Sequence, residues 1–239
     1  MKTAEDYLSG QVLLIDKPLQ WTSFQVVNKL RWEIRHAFNI KKIKVGHAGT
    51  LDPLATGLLV ICTGKMTKQI DTFQGQIKEY TGTLILGSTT PSFDLETEIN
   101  ERFPTDHITE EAIHEATKQF IGEIDQYPPV FSAIKKDGKR LYEFARAGED
   151  VEIKSRKITI SEFKITQIDT STALSTGSIN IDFRVVCSKG TYIRSLANDF
   201  GKALNSGSHL SALRRTKIGD FHVENALTPE AFIECLTTK

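Results

Sequence analysis

The sequence predicts an α+β domain: a mixed, largely antiparallel central sheet flanked by helices, with loops left over to line a cleft. Three observations predict it. Segments of strand composition outnumber helical ones and do not alternate with them one for one, as a parallel βαβ fold requires. No glycine loop of the GxGxxG or GxxxxGK[ST] kind is present, so no nucleotide-cofactor fold is indicated. No repeat, low-complexity linker or clear boundary divides the 239 residues, so one domain is expected over residues 1–239.

Taken in order, Val12 to Ile15 is a short apolar run read as a strand entering "DKPLQWTS". Thr22 or Ser23 can cap a helix. Val26, Val27, Leu30, Ile34 and Phe38 then recur at helical spacing. Lys29, Arg31, Arg35, Lys41, Lys42 and Lys44 make this helix and its exit basic. The run "GHAGTLDPLATGLL", residues 46–59, is read as a loop, "LLVIC" as the strand leaving it, and "MTKQIDTF" as a short helix. Residues 77–87 have strand composition, with Tyr80, Gly82, Leu84 and Leu86 on alternate positions.

A helix is expected from about Thr109 to Ile121, with Ile113, Ala116 and Phe120 on one face. "QYPPVFSAIKKDGKRLYEFARAGED" carries Pro-Pro and Asp-Gly turn signals and reads as an exposed excursion, about 124–152. "VEIKSRKITISEFKITQID" and "GSINIDFRVVC" look like strands. "SKGTYIRSLANDFGKALNSG" reads as a turn, a helix and a glycine stop. Thr228-Pro229-Glu230 opens a final helix with proline at its first position.

Composition narrows the function classes. With 39% hydrophobic and 25% charged residues the chain looks like an ordinary globular protein. No apolar run approaches the ~18 residues of a membrane helix, and "MKTAEDYLSGQ" lacks a secretory h-region. Cys62, Cys187 and Cys235 show no paired spacing, which argues against a disulfide framework or a zinc site. A cytoplasmic protein without metal, cofactor or membrane partner is expected. Formal net charge is zero, yet residues 94–125 hold ten acids and two bases, so the remainder carries a net +8. A neutral total can therefore hide a basic face, and binding answers to local potential.

Read alone, the candidate residues stay ambiguous. Asp52 before Pro53 suits a turn or a helix cap as well as it suits catalysis. Gly46, Gly49 and Gly57 permit unusual backbone angles, and they would also let a bulky planar substrate approach the backbone. His47 can be structural, Tyr80 a strand aromatic, Arg194 a surface arginine and Leu213 a core leucine.

The sequence resembles the TruB family of tRNA pseudouridine synthases in six ordered blocks. "GHAGTLDPLATGLL" is similar to its catalytic loop and "IDKPLQWTS" to its N-terminal segment. "KEYTGTLILG" is similar to the strand with its active-site tyrosine, and "YPPVFSAIKKDGKRLYEFARAG" to its RNA-gripping insertion. "CSKGTYIRSLANDFG" resembles its arginine motif, and "LSALRRTKIGDF" its late hydrophobic and basic segment.

This resemblance implies the pseudouridine-synthase fold with an active-site cleft. It also implies isomerisation of uridine to pseudouridine at position 55 of the tRNA T-loop, with the tRNA T-arm as partner. No obligate protein partner is implied, and a monomer is expected. By resemblance Asp52 is the catalytic carboxylate, Arg194 pairs with it, and Tyr80 stacks on the flipped base. Leu213 lines the uracil pocket, His47 meets displaced loop nucleotides, and Lys17, Gly49 and Thr50 are further substrate- or RNA-binding candidates around the site. Lys135, Lys136, Lys139, Arg140 and Arg146 of the insertion, with Arg214, Arg215 and Lys217, are phosphate candidates. Asp137 and Glu143 interrupt the insertion's basic cluster.

Asp52 could enter the reaction at C1′, at C6 or through the C2′ proton, and the sequence leaves these open. A catalytically idle RNA-binding protein is the alternative; retention of Asp52, Tyr80 and Arg194 speaks against it. Two departures from the family pattern stand out. "GSTTPSFDLETE" places Ser92 where a threonine is common and Thr97 where a glycine is common, while Asp94 is kept. The chain also runs only about eighteen residues beyond Phe221, so no C-terminal PUA domain is expected.

Overall fold

A computed structural model describes residues 2–132, 134–136, 138–149, 151–171 and 177–237. The first elements are helix α1 (Ala4–Ser9), strand β1 (Val12–Lys17) and helix α2 (Ser23–Ala37). Thr22 starts α2 through a capping box: its hydroxyl accepts from the Gln25 N–H, and Gln25 Oε1 accepts from the Thr22 N–H. β2 (Val45–His47) and β3 (Ala55–Thr63) follow, then helix α3 (Ile70–Gly75) and β4 (Lys78–Leu86). Next come β5 (Ser88–Thr89), β6 (Glu101–Arg102), α4 (Glu110–Thr117) and β7 (Gly122–Gln126).

The excursion forms a small hairpin, β8 (Lys135–Lys136) and β9 (Lys139–Arg140), and a helix, α5 (Leu141–Ala147). Two long strands, β10 (Arg156–Asp169) and β11 (Ile179–Cys187), lead to helix α6 (Ile193–Ala203). β12 (Ser208–Ile218), β13 (Phe221–His222) and helix α7 (Pro229–Thr237) close the chain.

The sheet pairing is mixed and largely antiparallel, as expected. β1 and β2 pair antiparallel with β3, β13 with β12, and both β11 and β7 with β10, while β3 and β12 run parallel. The chain divides into two compact units, Met1–Tyr80 with Leu213–Lys239, and Thr81–Ala212. It passes between them inside β4 and inside β12. No loop marks either crossing, so no composition break signals it.

β3 organises the first unit because both of its faces are buried. Leu59 and Ile61 pack with Leu13, Ile15, Val27, Leu30 and Ile34 on one side. Leu58, Val60 and Cys62 pack with Ala48, Ile218 and Val223 on the other. That two-sided burial explains a near-continuous apolar run in place of alternation. In the second unit Phe120, Phe163, Phe183 and Phe200 form a chain of ring contacts with centroids 5.3–6.1 Å apart.

Two expectations are corrected. Residues 46–59 are not one loop: Gly46 and His47 lie in β2, and β3 begins at Ala55, because both ends find ladder partners on neighbouring strands. The excursion contains the helix α5, closed by Gly148 at φ +67°. The "LSALRRTKI" stretch, to which the sequence assigns no element, lies within the 11-residue strand β12. Among the described residues no helix is long and apolar enough to cross a membrane.

Candidate active site

Asp52 sits half-buried in the short connection from β2 to β3. Both of its neighbours are tied down. The Ser23 hydroxyl accepts from the Leu51 N–H (2.8 Å) and donates to the Leu51 carbonyl (3.0 Å). The Pro53 carbonyl accepts from the Gln20 N–H at 2.8 Å and from the Lys17 ammonium at 3.3 Å. The Asp52 carbonyl accepts from the Ala55 N–H, closing a tight turn (3.1 Å). The backbone around the carboxylate is thus fixed while its side chain remains partly open to solvent, which is the preorganisation a reacting group needs.

Lys17 is fully buried at the end of β1. Its ammonium also donates to the carbonyls of Pro18 (2.8 Å) and Trp21 (2.6 Å). Burial pushes its pKa down to about 8, against the pull of the Asp52 carboxylate and with the Arg215 charge adding to the push. A lysine spent on three carbonyls is placed to hold the "DKP" turn against the Asp52 loop, not to reach RNA.

His47 lies on β2. Burial, reinforced by the Arg215 charge and opposed by a backbone hydrogen bond at Gly49, lowers its pKa below the ordinary value. The ring is therefore neutral at pH 7. Its Nδ1 is buried with no hydrogen-bond partner among the described residues.

Of the two late arginines, Arg215 does not take the part expected of it, and Arg214 is paired within the protein. Arg214 is half-buried and makes a two-pronged pair with Asp16, Nη1–Oδ1 2.9 Å and Nη2–Oδ2 2.6 Å. Arg215 is 1% exposed, and its guanidinium donates to the carbonyls of Leu58 and Gly49. The Arg215 guanidinium is therefore committed inside the protein, whereas a phosphate contact needs one turned to solvent; the Arg214 side chain is 39% exposed and paired with Asp16. Tyr80 is buried on β4, Leu213 is half-buried on β12, Gly49 is half-buried and Thr50 is exposed. Lys217 is half-buried near the end of β12.

Arg194 belongs to the second unit, in the first turn of α6. It is 4% exposed and surrounded by acceptors. Nη1 donates to the Ser92 carbonyl at 3.0 Å and Nη2 to the Phe131 carbonyl at 2.8 Å, and Nε lies 3.6 Å from the Asp94 carboxylate. The root of the excursion also braces the start of this helix. The Gln126 amide accepts from the Tyr192 N–H (2.8 Å) and donates to the Tyr192 carbonyl (3.0 Å), and the Ser195 hydroxyl donates to the Tyr127 carbonyl (2.8 Å). Tyr192 occupies the cap position of α6 without a side-chain cap, so Gln126 holds that helix start from outside.

Sequence reading missed Ser23, Gln126 and the Phe131 carbonyl. Ser23 and Gln126 look like ordinary polar residues, and a carbonyl has no residue-type signal. Asp94 was the legible one, an acid kept inside an otherwise altered segment.

The excursion keeps its basic side chains at the surface. Lys135, Lys139, Arg140 and Arg146 are exposed and Lys136 is half-buried. Lys139 pairs with Glu149 at 3.2 Å and Arg146 with Glu96 at 3.2 Å, so part of that charge is met within the protein. Glu143 accepts from the Arg140 N–H (3.0 Å) at the start of α5, so it serves the helix start. Asp137 lies outside the described residues.

The profile described as "TruB family pseudouridylate synthase (N terminal domain)" matches residues 35–193, and "tRNA pseudouridylate synthase B C-terminal domain" matches 194–238. A Flavobacterium johnsoniae protein named tRNA pseudouridine synthase B is 68% identical, covering 98% of this chain and 99% of its own. The Phocaeicola vulgatus protein of the same name is 56% identical, covering 97% and 95%.

Among solved structures, a chain of a Cbf5-Nop10-Gar1 complex superposes with a TM-score of 0.70 at 29% identity over 98% of this chain. An H/ACA RNP bound to a substrate RNA containing 2′-deoxyuridine gives a TM-score of 0.66 at 27% identity over 95%. This chain spans 56% and 53% of those two chains.

Proposed function

The chain belongs to the TruB family of pseudouridylate synthases, and from that premise we propose that it converts uridine 55 in the T-loop of tRNA to pseudouridine. The reaction breaks the N1–C1′ bond, turns the base and joins C5 to C1′. The C5 proton leaves and N1 gains one, so no redox partner or energy source is consumed. The observation that carries the reading is the Asp52 loop, with both neighbours of the acid anchored and the carboxylate partly exposed.

The residues take the following parts. The target base leaves its stack to reach a pocket, as enzymes acting on a base require. Asp52 is the carboxylate that opens the reaction. Arg194 is the cation that the family's arginine motif assigns to the reaction; its rigid fork is held by the Ser92 and Phe131 carbonyls and Asp94. Tyr80 stacks on the flipped base and Leu213 excludes water beside it. His47, neutral at pH 7, meets nucleotides displaced by flipping. Lys135, Lys139, Arg140 and Arg146 neutralise backbone phosphates.

An unmodified tRNA transcript treated with the protein tests this. Carbodiimide labelling and primer extension should show one new stop, at position 55. Labelling elsewhere, with position 55 untouched, would contradict the assigned target; no pseudouridine at all would contradict the reaction.

A further inference from the structure

We propose that Arg215 is a positioning residue, which sets the shape of the Asp52 loop by gripping it on both flanks. The inference rests on the function proposed above and names a group that serves it.

Arg215 lies on β12, opposite Gly57 of β3 in the parallel register. Its side chain is one of the largest fully buried in the protein. An arginine is withdrawn from water only where its donors are met. Here Nε donates to the Leu58 carbonyl at 2.8 Å and Nη2 to the Gly49 carbonyl at 3.1 Å. Gly49 precedes Asp52 and Leu58 follows it, so one planar group spans the whole loop. An ammonium cannot present two donors in that fixed fork.

The same residue grips the loop's exit with its backbone. Gly57 has φ +100°, and a Cβ there would sit 2.3 Å from the Arg215 carbonyl oxygen. At the entrance, Gly49 has φ +94°, and a Cβ there would meet Arg215 Nη1 at 3.5 Å. Gly57 is thus shaped in part by Arg215, whereas at Gly49 the contact is ordinary and the positive φ itself calls for glycine. Its charge also reaches the loop's neighbours, since it disfavours the charged forms of both His47 and Lys17. Removing the side chain leaves two carbonyls without their donor and frees the segment between them.

The test compares wild type, Arg215→Lys and Arg215→Met on a T-arm hairpin RNA. Three quantities are read: hairpin affinity with its salt dependence, the single-turnover rate at saturating enzyme, and the His47 imidazole titration by NMR. For Arg215→Met we expect affinity within about twofold of wild type, an unchanged salt slope, and a rate at least ~30-fold lower. The His47 pKa should rise toward its ordinary value. Arg215→Lys keeps the charge but not the fork, so its rate should stay about tenfold low while the His47 pKa stays depressed.

A loss of affinity equal to the loss of rate, with the salt slope reduced by about one, would make Arg215 a phosphate contact and overturn the proposal. Wild-type rates in either variant would overturn it as well. If Arg215→Met does not fold, Arg215→Lys alone decides between these outcomes. If wild type itself makes no pseudouridine, the functional reading fails. The His47 titration then still reports whether the Arg215 charge acts on the loop.

Discussion

The hydroxyl oxygens of Ser92 and Thr97 lie 2.8 Å apart, and each also accepts from the other's backbone N–H, at 3.1 and 3.2 Å. These are the two positions read from the sequence as departures from the family pattern. Two small hydroxyl residues here close a turn with three mutual hydrogen bonds. That turn presents the Ser92 carbonyl to Arg194 and carries Asp94 beside it.

Ser92→Ala and Thr97→Gly should therefore be coupled. Each alone should lower stability, and the double variant should recover about 0.5–2 kcal/mol relative to the sum of the singles. Urea unfolding of the four proteins measures this. Strictly additive effects would contradict a shared network.

Arg194→Lys should fold and bind hairpin RNA nearly as wild type does, yet lose about 100-fold or more in single-turnover rate. One ammonium cannot reach Ser92, Phe131 and Asp94 together in the geometry the guanidinium uses. A rate within about threefold of wild type would contradict the role given to the fork.

Lys17 makes stability depend on alkaline pH. Its folded pKa of about 8 lies below the ordinary 10.5 because burial disfavours the charge. Between those values the unfolded chain binds more protons, so the stability contributed at this site rises with pH. The stability of wild type relative to Lys17→Met, from urea unfolding, should accordingly be greater at pH 10 than at pH 7.5. A decrease over that interval would contradict the assignment.

The excursion's cations should act on affinity. Lys135→Ala and Arg140→Ala should each weaken hairpin binding and lower the salt slope by about one, with the saturating rate kept. Arg146→Ala should cost less, because Arg146 is already paired with Glu96. An unchanged salt slope in all three would move the RNA to another surface.

Much of this was legible in the sequence where local chemistry and packing agree. The cap at Thr22, the apolar stripe of α2 and the alternation of β4 each report one physical demand. β12 was illegible because Arg214 and Arg215 interrupt its apolar pattern; one is half-buried against Asp16 and the other fully buried against carbonyls. The same fact hid Arg215 as a loop anchor, since arginine in a basic run reads as a surface phosphate contact. The bracing of α6 by Gln126 was illegible because its partners lie 66 residues away. Asp52 itself was visible only through the frame of glycines and the family resemblance, as an aspartate before proline suits a plain turn equally well.

The central claim is that this protein isomerises uridine using Asp52. Tritium release from a T-arm hairpin labelled at uridine C5 measures it, since forming the C5–C1′ bond expels the C5 hydrogen. The expected result is release by wild type, and release at least ~1000-fold slower by Asp52→Asn that still binds the hairpin. Release by Asp52→Asn at the wild-type rate, or none by wild type on hairpin or full tRNA, would contradict it.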